Sequence, residues 1–218
     1  MRLFAISDLH GSKRAVNELA SIILDEQPDR IVFLGDGRQD AYELSDLIGK
    51  EITVVKGNCD LASSDPNEMI LMLDSVKILI CHGHTYGVKT GYGKLESASE
   101  KAGCALALCG HTHQPMIQQR ENVLIVNPGS AGAYFGATFA DIKIENTDIN
   151  AEIRIVETFL KKLSIFNMWI IDSKYNTLIP IWARQLNKRA REGWCTTIIR
   201  CEGTQDCLPL LMASKNKI

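Results

Sequence analysis

An α/β fold whose strands are not all parallel is predicted for this 218-residue chain. Two observations point to α/β: short β-branched runs alternate with helical periodicity through the first hundred or so residues, and polar clusters beside glycine fall where five of the strand-like runs end. A third points to a second or mixed sheet. After residue 104 the strand-like runs follow one another without helices between them, which an all-parallel sheet does not allow.

Taken in order, residues 2–7 read as a strand. Ser12 is placed to cap a helix whose apolar residues Ala15, Leu19, Ile22 and Ile23 recur at helical spacing, and Pro28 follows its end. Residues 31–34 form the next strand. Asp40 and Glu43 are spaced like a capping box before Tyr42, Leu44, Leu47 and Ile48, and Gly49 stops that helix. Residues 52–55 make a third strand. Runs 69–73 and 76–80, separated by Asp74-Ser75, read as a hairpin, and 94–101 as a helix closed by Gly103. A buried strand is expected over 104–108, then strands over 116–119, 123–126, 139–144 and 151–156.

Composition separates the chain into two parts. The first 158 residues carry 14 Lys+Arg against 22 Asp+Glu, a net of −8, whereas the last 60 carry 10 against 4, a net of +6. All five histidines lie in the first part and all three tryptophans in the second. A domain over 1–158 and a C-terminal extension over 159–218 are therefore expected. With 45% hydrophobic and 23% charged residues the chain is an ordinary globular protein, not a disordered or fibrous one. It has no run of 18 apolar residues, and its N-terminus meets Asp8 too soon for a signal peptide, so a cytoplasmic protein is expected. Seven cysteines, an odd number without a Cys-x-x-Cys pair, suggest neither a disulfide framework nor a thiolate zinc site.

The chemistry is concentrated at the strand ends, which read Asp8-Leu9-His10, Gly35-Asp36-Gly37, Gly57-Asn58-Cys59-Asp60, Cys81-His82-Gly83-His84 and Gly110-His111-Thr112-His113. Carboxyl ends of neighbouring strands in an open α/β sheet converge on one crevice, so these distant residues can meet. If the segments are extended, residues two apart point to one side, and Asp8 with His10, or His111 with His113, would form two-toothed arms. Singly, Asp-x-His and Gly-Asp-Gly are ordinary capping or turn chemistry, whereas the two histidines of Gly-His-Thr-His are a stronger signal because they rarely recur at that spacing without reason. That every histidine falls in one of these clusters, beside carboxylates, points to a metal centre of mixed oxygen and imidazole donors suited to Mn, Fe, Zn or Ni.

The ordered set Asp-x-His, Gly-Asp, Gly-Asn-x-Asp, His-Gly-His and Gly-His-x-His resembles the calcineurin-like metallophosphoesterase superfamily, specifically its small bacterial and archaeal phosphodiesterase branch, and Asn127-Pro128-Gly129-Ser130 resembles a turn of that branch. The resemblance covers roughly residues 1–158. It implies a four-layer αββα sandwich of two mixed sheets flanked by helices. It also implies a binuclear centre, with Asp8, His10, Asp36 and His113 on one ion and Asp36, Asn58, His82 and His111 on the other, and hydrolysis of a phosphate ester by a hydroxide bridging them. Manganese is the first expectation, with nickel, zinc or iron as alternatives. Asn58, His84 and Cys59 are the candidate catalytic residues, with His84 either orienting the phosphate or donating a proton, or else supporting the ligands through a hydrogen bond. Cys59 stands where larger relatives have a leaving-group histidine, and a thiol is a poorer acid near neutrality, which favours leaving groups that need little protonation.

The expected partner is a small phosphate ester; neither membrane nor nucleic acid is expected, and self-association stays open. A phosphomonoesterase is a near neighbour of the phosphodiesterase reading. A non-catalytic scaffold of the same fold, as in the retromer complex, is the alternative from another class, and a metal-dependent amidohydrolase is disfavoured by the opening Asp-x-His and the short chain. In the extension, Lys188-Arg189-Ala190-Arg191 near Trp182 and Trp194 reads as a peripheral segment before a nucleic-acid contact, and the apolar runs 165–171 and 178–182 call for a partner surface. Tyr86, Lys89 and Tyr92 follow His84 on a Gly-rich surface loop.

Overall fold

The computed structural model describes residues 1–156 except residue 62, together with the backbone of three later strands. In chain order the elements are β1 (Arg2–Ile6), α1 (Lys13–Glu26), β2 (Arg30–Phe33), α2 (Arg38–Ile48), β3 (Thr53–Val54), β4 (Glu68–Leu73), β5 (Val76–Cys81), a 3-10 turn (His84–Tyr86), α3 (Gly93–Lys101), β6 (Leu106–Leu108), β7 (Met116–Gln119), β8 (Leu124–Asn127), β9 (Thr138–Glu145) and β10 (Asp148–Ile155). Contacts divide the chain into two units, Met1–Val156 and Glu157–Ile218.

The first unit holds two five-stranded mixed sheets, ordered β10-β9-β1-β2-β3 and β4-β5-β6-β8-β7. In each, three parallel strands sit beside antiparallel ones: β1, β2 and β3 in the first, β5, β6 and β8 in the second. Alternation along the strands makes the layers. On β1, Leu3 and Ala5 face one way and meet Val32, Leu34, Ile78, Ile80, Leu106 and Leu108 in a core between the sheets. Phe4 and Ile6 face the other way, into a core with Leu19 and Ile23 of α1 and Leu44 of α2. On the far side of the second sheet, Leu79, Ala107 and Ile125 pack with Leu95 of α3. Helix, sheet, sheet, helix is thus the order of layers.

Local signals explain most boundaries. The Ser12 hydroxyl accepts the Ala15 N–H and caps α1, and Gly49, at φ 64°, ends α2. The 69–80 hairpin turns through Asp74 at φ 50°. The capping box does not form: α2 starts at Arg38 after Gly37, and the buried Asp40 carboxylate instead accepts the Gly11 N–H at 2.8 Å. A carboxylate inside the first turn of one helix here satisfies a free N–H in the loop leading into another.

In the second unit, β11 (Met168–Asp172) pairs antiparallel with β12 (Thr177–Pro180) and β13 (Ile198–Arg200). The described parts of the apolar runs 165–171 and 178–182 fall on β11 and β12. The Lys188–Arg191 cluster with Trp182 and Trp194 lies outside the described residues.

Candidate metal centre

Strands β1, β2, β3, β5 and β6 all end at one edge of the sandwich, and the loops they feed carry Asp8, Asp36, Asn58, His82 and His111. These loops are not extended. Asp8, His10, Asp36, His111 and His113 have φ of 56°, 46°, 58°, 69° and 60°, the left-handed region that residues with a Cβ avoid. Long-range bonds hold four of them there: Asp8 N–H donates to Gly35 O at 3.0 Å, His10 N–H to Asp36 O at 3.1 Å, Asp36 N–H to Asp60 Oδ2 at 2.9 Å and His111 N–H to Asp8 Oδ2 at 3.1 Å. Strain of about 1–3 kcal/mol per residue persists only where surrounding structure imposes it, and it concentrates at working sites. The consequence corrects the arm geometry inferred for extended segments: His111 and His113 diverge into different halves of the cluster.

In the first half, the Nε2 atoms of His10 and His113 lie 3.2 Å apart and 3.6 and 3.2 Å from Asp8 Oδ1. Asp8 is wholly buried. Its Oδ2 accepts from Ser7 Oγ at 2.6 Å and from His111 N–H at 3.1 Å, while Oδ1 has no hydrogen-bond partner. A buried, unpartnered carboxylate oxygen facing two imidazole nitrogens is costly unless a proton or a cation stands among them.

In the second half, His82 Nε2 lies 3.4 Å from Asp36 Oδ2 and 3.2 Å from both Asn58 Oδ1 and His111 Nδ1. His82 is wholly buried, and its Nδ1 donates to Leu34 O at 2.7 Å, which leaves Nε2 turned toward the cluster. Burial opposes the charged form of His82, but the hydrogen bond to Asp36 and the charge of Asp8 outweigh it and raise its pKa. Burial would likewise raise the pKa of Asp36; hydrogen bonds from His82 and from the Cys59 N–H hold it well below the usual carboxylate range. Among the described residues three donor groups could each hold an ion: Asp8-His10-His113, His10-Asp36-Cys59 and Asp36-His82-His111. They overlap at His10 and Asp36, and the orphaned Asp8 oxygen and the mixed oxygen and imidazole chemistry fit divalent cations.

Residues behind the cluster fix it. Asp60 accepts four main-chain N–H groups, from Asp36, Gly37, Arg38 and Gly57, at 2.8 to 3.2 Å. Asn127 donates to Gly110 O and accepts from Gly129 N–H, and Ser130 Oγ donates to Asp8 O at 2.8 Å. A Cβ on Gly57 would stand 2.0 Å from Asp36 Oδ1, so the loop after β3 reaches Asp36 only because that residue is glycine. The sequence signal for Asp60 was its place in the Gly-Asn-x-Asp cluster; its role as an anchor was not foreseen.

Comparison with known proteins gives the same answer independently, since the family model for the calcineurin-like phosphoesterase superfamily domain matches residues 1–147. The chain belongs to that superfamily. Among its relatives is the probable metallophosphoesterase YsnB of Bacillus subtilis, 31% identical over 130 residues that cover 60% of this chain and 75% of the relative. Phosphodiesterase YfcE of Escherichia coli is 24% identical over 180 residues, covering 71% of this chain and 92% of that protein. A solved structure from Streptococcus pneumoniae, described as a predicted phosphoesterase, superposes with a TM-score of 0.61 at 25% identity, covering 72% of this chain and 90% of its own. The sandwich of two mixed sheets is the fold of this superfamily.

Cys59 and His84 stand at the edge of the centre. Cys59 is exposed, and a hydrogen bond to Asp36, then partial burial, pushes its thiol pKa up. His84 lies with its ring 5.4 Å from that of His82, and its Nδ1 is buried without a partner. Burial, then the neighbouring His82, lowers its pKa. Lys56 and Lys89 act in the same direction on His84 and His111 respectively. Among the described residues no helix is long and apolar enough to cross a membrane.

Proposed function

We propose that residues 1–158 form a binuclear metal-dependent phosphodiesterase. The observation that carries this reading is the chain of overlapping donor groups joined at His10 and Asp36, with a buried carboxylate oxygen of Asp8 left without a partner. Asp8, His10, Asp36 and His113 would hold one ion, and Asp36, Asn58, His82 and His111 the other. When bound, divalent cations supply Lewis acidity that activates a water near neutral pH and neutralises charge on the phosphoryl oxygens.

The protein's own groups divide the remaining tasks. The Leu34 carbonyl fixes His82 as the tautomer with a free Nε2, and Ser7 and the His111 N–H aim Asp8 Oδ1 inward. His84, with a lowered pKa, is neutral near neutrality and carries an N–H suited to a phosphoryl oxygen. Cys59 stays a thiol, too weak an acid to protonate an alkoxide efficiently, which favours esters whose leaving group departs as a stable anion. The name of the YfcE relative supports the diester preference.

Metal-stripped protein, resupplied separately with manganese, nickel, zinc, iron and magnesium, should hydrolyse a chromogenic phosphodiester faster than the matching monoester, with manganese foremost. Asp36→Ala and Asn58→Ala should abolish the signal while far-ultraviolet circular dichroism stays that of the parent. Undiminished hydrolysis in both variants would overturn the mechanism.

A further inference from the structure

Tyr134 and Phe135 are 80% and 79% exposed, and their rings meet edge to face at 4.6 Å between centroids. Single apolar residues at a surface are commonplace, but two adjacent aromatic rings left in water give up a sizeable hydrophobic gain. The segment before them is firmly held. Ser130 Oγ donates to Asp8 O, Ala131 N–H donates to Ser7 O at 2.9 Å, Gly132 N–H donates to Asp8 O at 3.1 Å, and Arg14 of α1 donates to Ala133 O at 2.8 Å. A Cβ on Gly132 would stand 2.2 Å from Leu9 O, so this backbone lies directly against the Asp8-Leu9-His10 turn. Tyr134 is two residues beyond Gly132, and with about 3.8 Å between consecutive Cα atoms it stays within one small-molecule length of the Asp8 half of the centre. His10 and His113 line that half, and their side chains are 38% and 50% exposed, so it opens to solvent.

We infer that Tyr134 and Phe135 form an aromatic platform beside the metal centre that binds a planar, aromatic arm of the phosphodiester, a nucleobase or aryl group on the ester oxygen that is not cleaved. The inference rests on the phosphodiesterase reading and adds its substrate class. Stacking suits such an arm because every aromatic ring offers a face, whereas an alkyl arm gains little from it. Because the backbone is held as far as Ala133, less of the segment has to be ordered on binding than in a loop without such anchors.

The test keeps the leaving group constant and varies only the other arm. Thymidine 5′-p-nitrophenyl phosphate and methyl p-nitrophenyl phosphate are compared with the full-length, metal-loaded protein. Wild type should favour the thymidine ester about tenfold in kcat/KM, chiefly through KM, and the double variant Y134A/F135A should bring the ratio close to one. Tyr134→Phe should keep the preference. Binding of phenylphosphonate against methylphosphonate, measured by calorimetry, asks the same question without turnover, because neither is a hydrolysable ester. A wild-type preference lost in the double variant supports the platform; equal affinities in wild type, or a preference that survives the double substitution, overturns it. Absence of hydrolysis with every metal would sink the phosphodiesterase reading, and the phosphonate comparison would still decide the platform.

Discussion

Asp60 makes four hydrogen bonds to the frame of the centre while belonging to none of its donor groups. Burial would raise its pKa, but four main-chain N–H groups outweigh that and lower it, so it is an anion holding the Asp36 and Gly57 loops together. Asp60→Ala is expected to weaken metal binding by about 10–100-fold. It should also cost about 1–3 kcal/mol of stability through the unsatisfied amides. Calorimetric manganese titration and a thermal melt measure the two effects, and parent-like values in both would remove Asp60 from its supporting role. His82 gives a second prediction at this scale. Its pKa is raised in the metal-free protein, so below that value a proton occupies the position an ion needs. Metal affinity should therefore fall as the solution is acidified through the raised pKa, with proton release on binding. Titrations in buffers of different ionisation enthalpy count those protons; no release on the acid side would contradict the assignment.

At the scale of elements, the centre depends on parallel strand ends approaching closely. Gly35 and Gly57 mark the closest approach: a Cβ on Gly35, which has φ +96°, would lie 2.4 Å from Gly57 N. Gly57→Ala should therefore push the loop after β3 away from β2 and displace the Asp36 carboxylate, while the three apolar cores, which lie deeper, stay packed. The expected outcome is near-complete loss of metal binding with secondary structure retained, read by metal analysis after dialysis and by far-ultraviolet circular dichroism. Full metal occupancy in Gly57→Ala would show that the two loops have room to spare.

Across the first unit as a whole, an ion-pair network fastens the start of that unit to its end. Arg2 and Arg154 both bond Glu26 and Asp141, and both guanidinium groups lie over the Phe4 ring, joining β1, α1, β9 and β10. The hydrogen bond from Arg154, opposed by burial and reinforced by Arg2, lowers the Glu26 pKa from 4.5 to about 2. A folded-state pKa below the unfolded one means that the stabilisation is fully present above about 4.5 and is lost as pH falls toward 2. Glu26→Gln should accordingly lower stability near neutrality and flatten its pH dependence across that window. Urea unfolding at a series of pH values reads this directly, and an unchanged slope would assign the acid sensitivity to other carboxylates.

Much of this architecture was legible in order along the chain because strand and helix periods, caps and turns are local properties. The Ser12 cap, the Gly49 stop, the Asp74-Ser75 hairpin and the strand over 116–119 depend on residues a few positions apart. The candidate donors were legible too, since His82, His111 and their companions stand immediately beyond apolar runs, where a strand must end. What the sequence by itself determined was therefore which residues form each element and which polar groups lie at strand ends. Only the tertiary structure decided how those groups are shared out. Left-handed turns at Asp8, His10, Asp36 and His111 are held by hydrogen bonds between loops far apart in the chain, and the same kind of long-range contact drew Asp40 to Gly11 and gave Asp60 its amides from Asp36, Gly37 and Arg38. A side chain's direction at such a turn is set by partners that exist only once strands distant in the chain have assembled, within the first sheet for Asp8, His10 and Asp36 and across the two sheets for His111, and no local pattern encodes it.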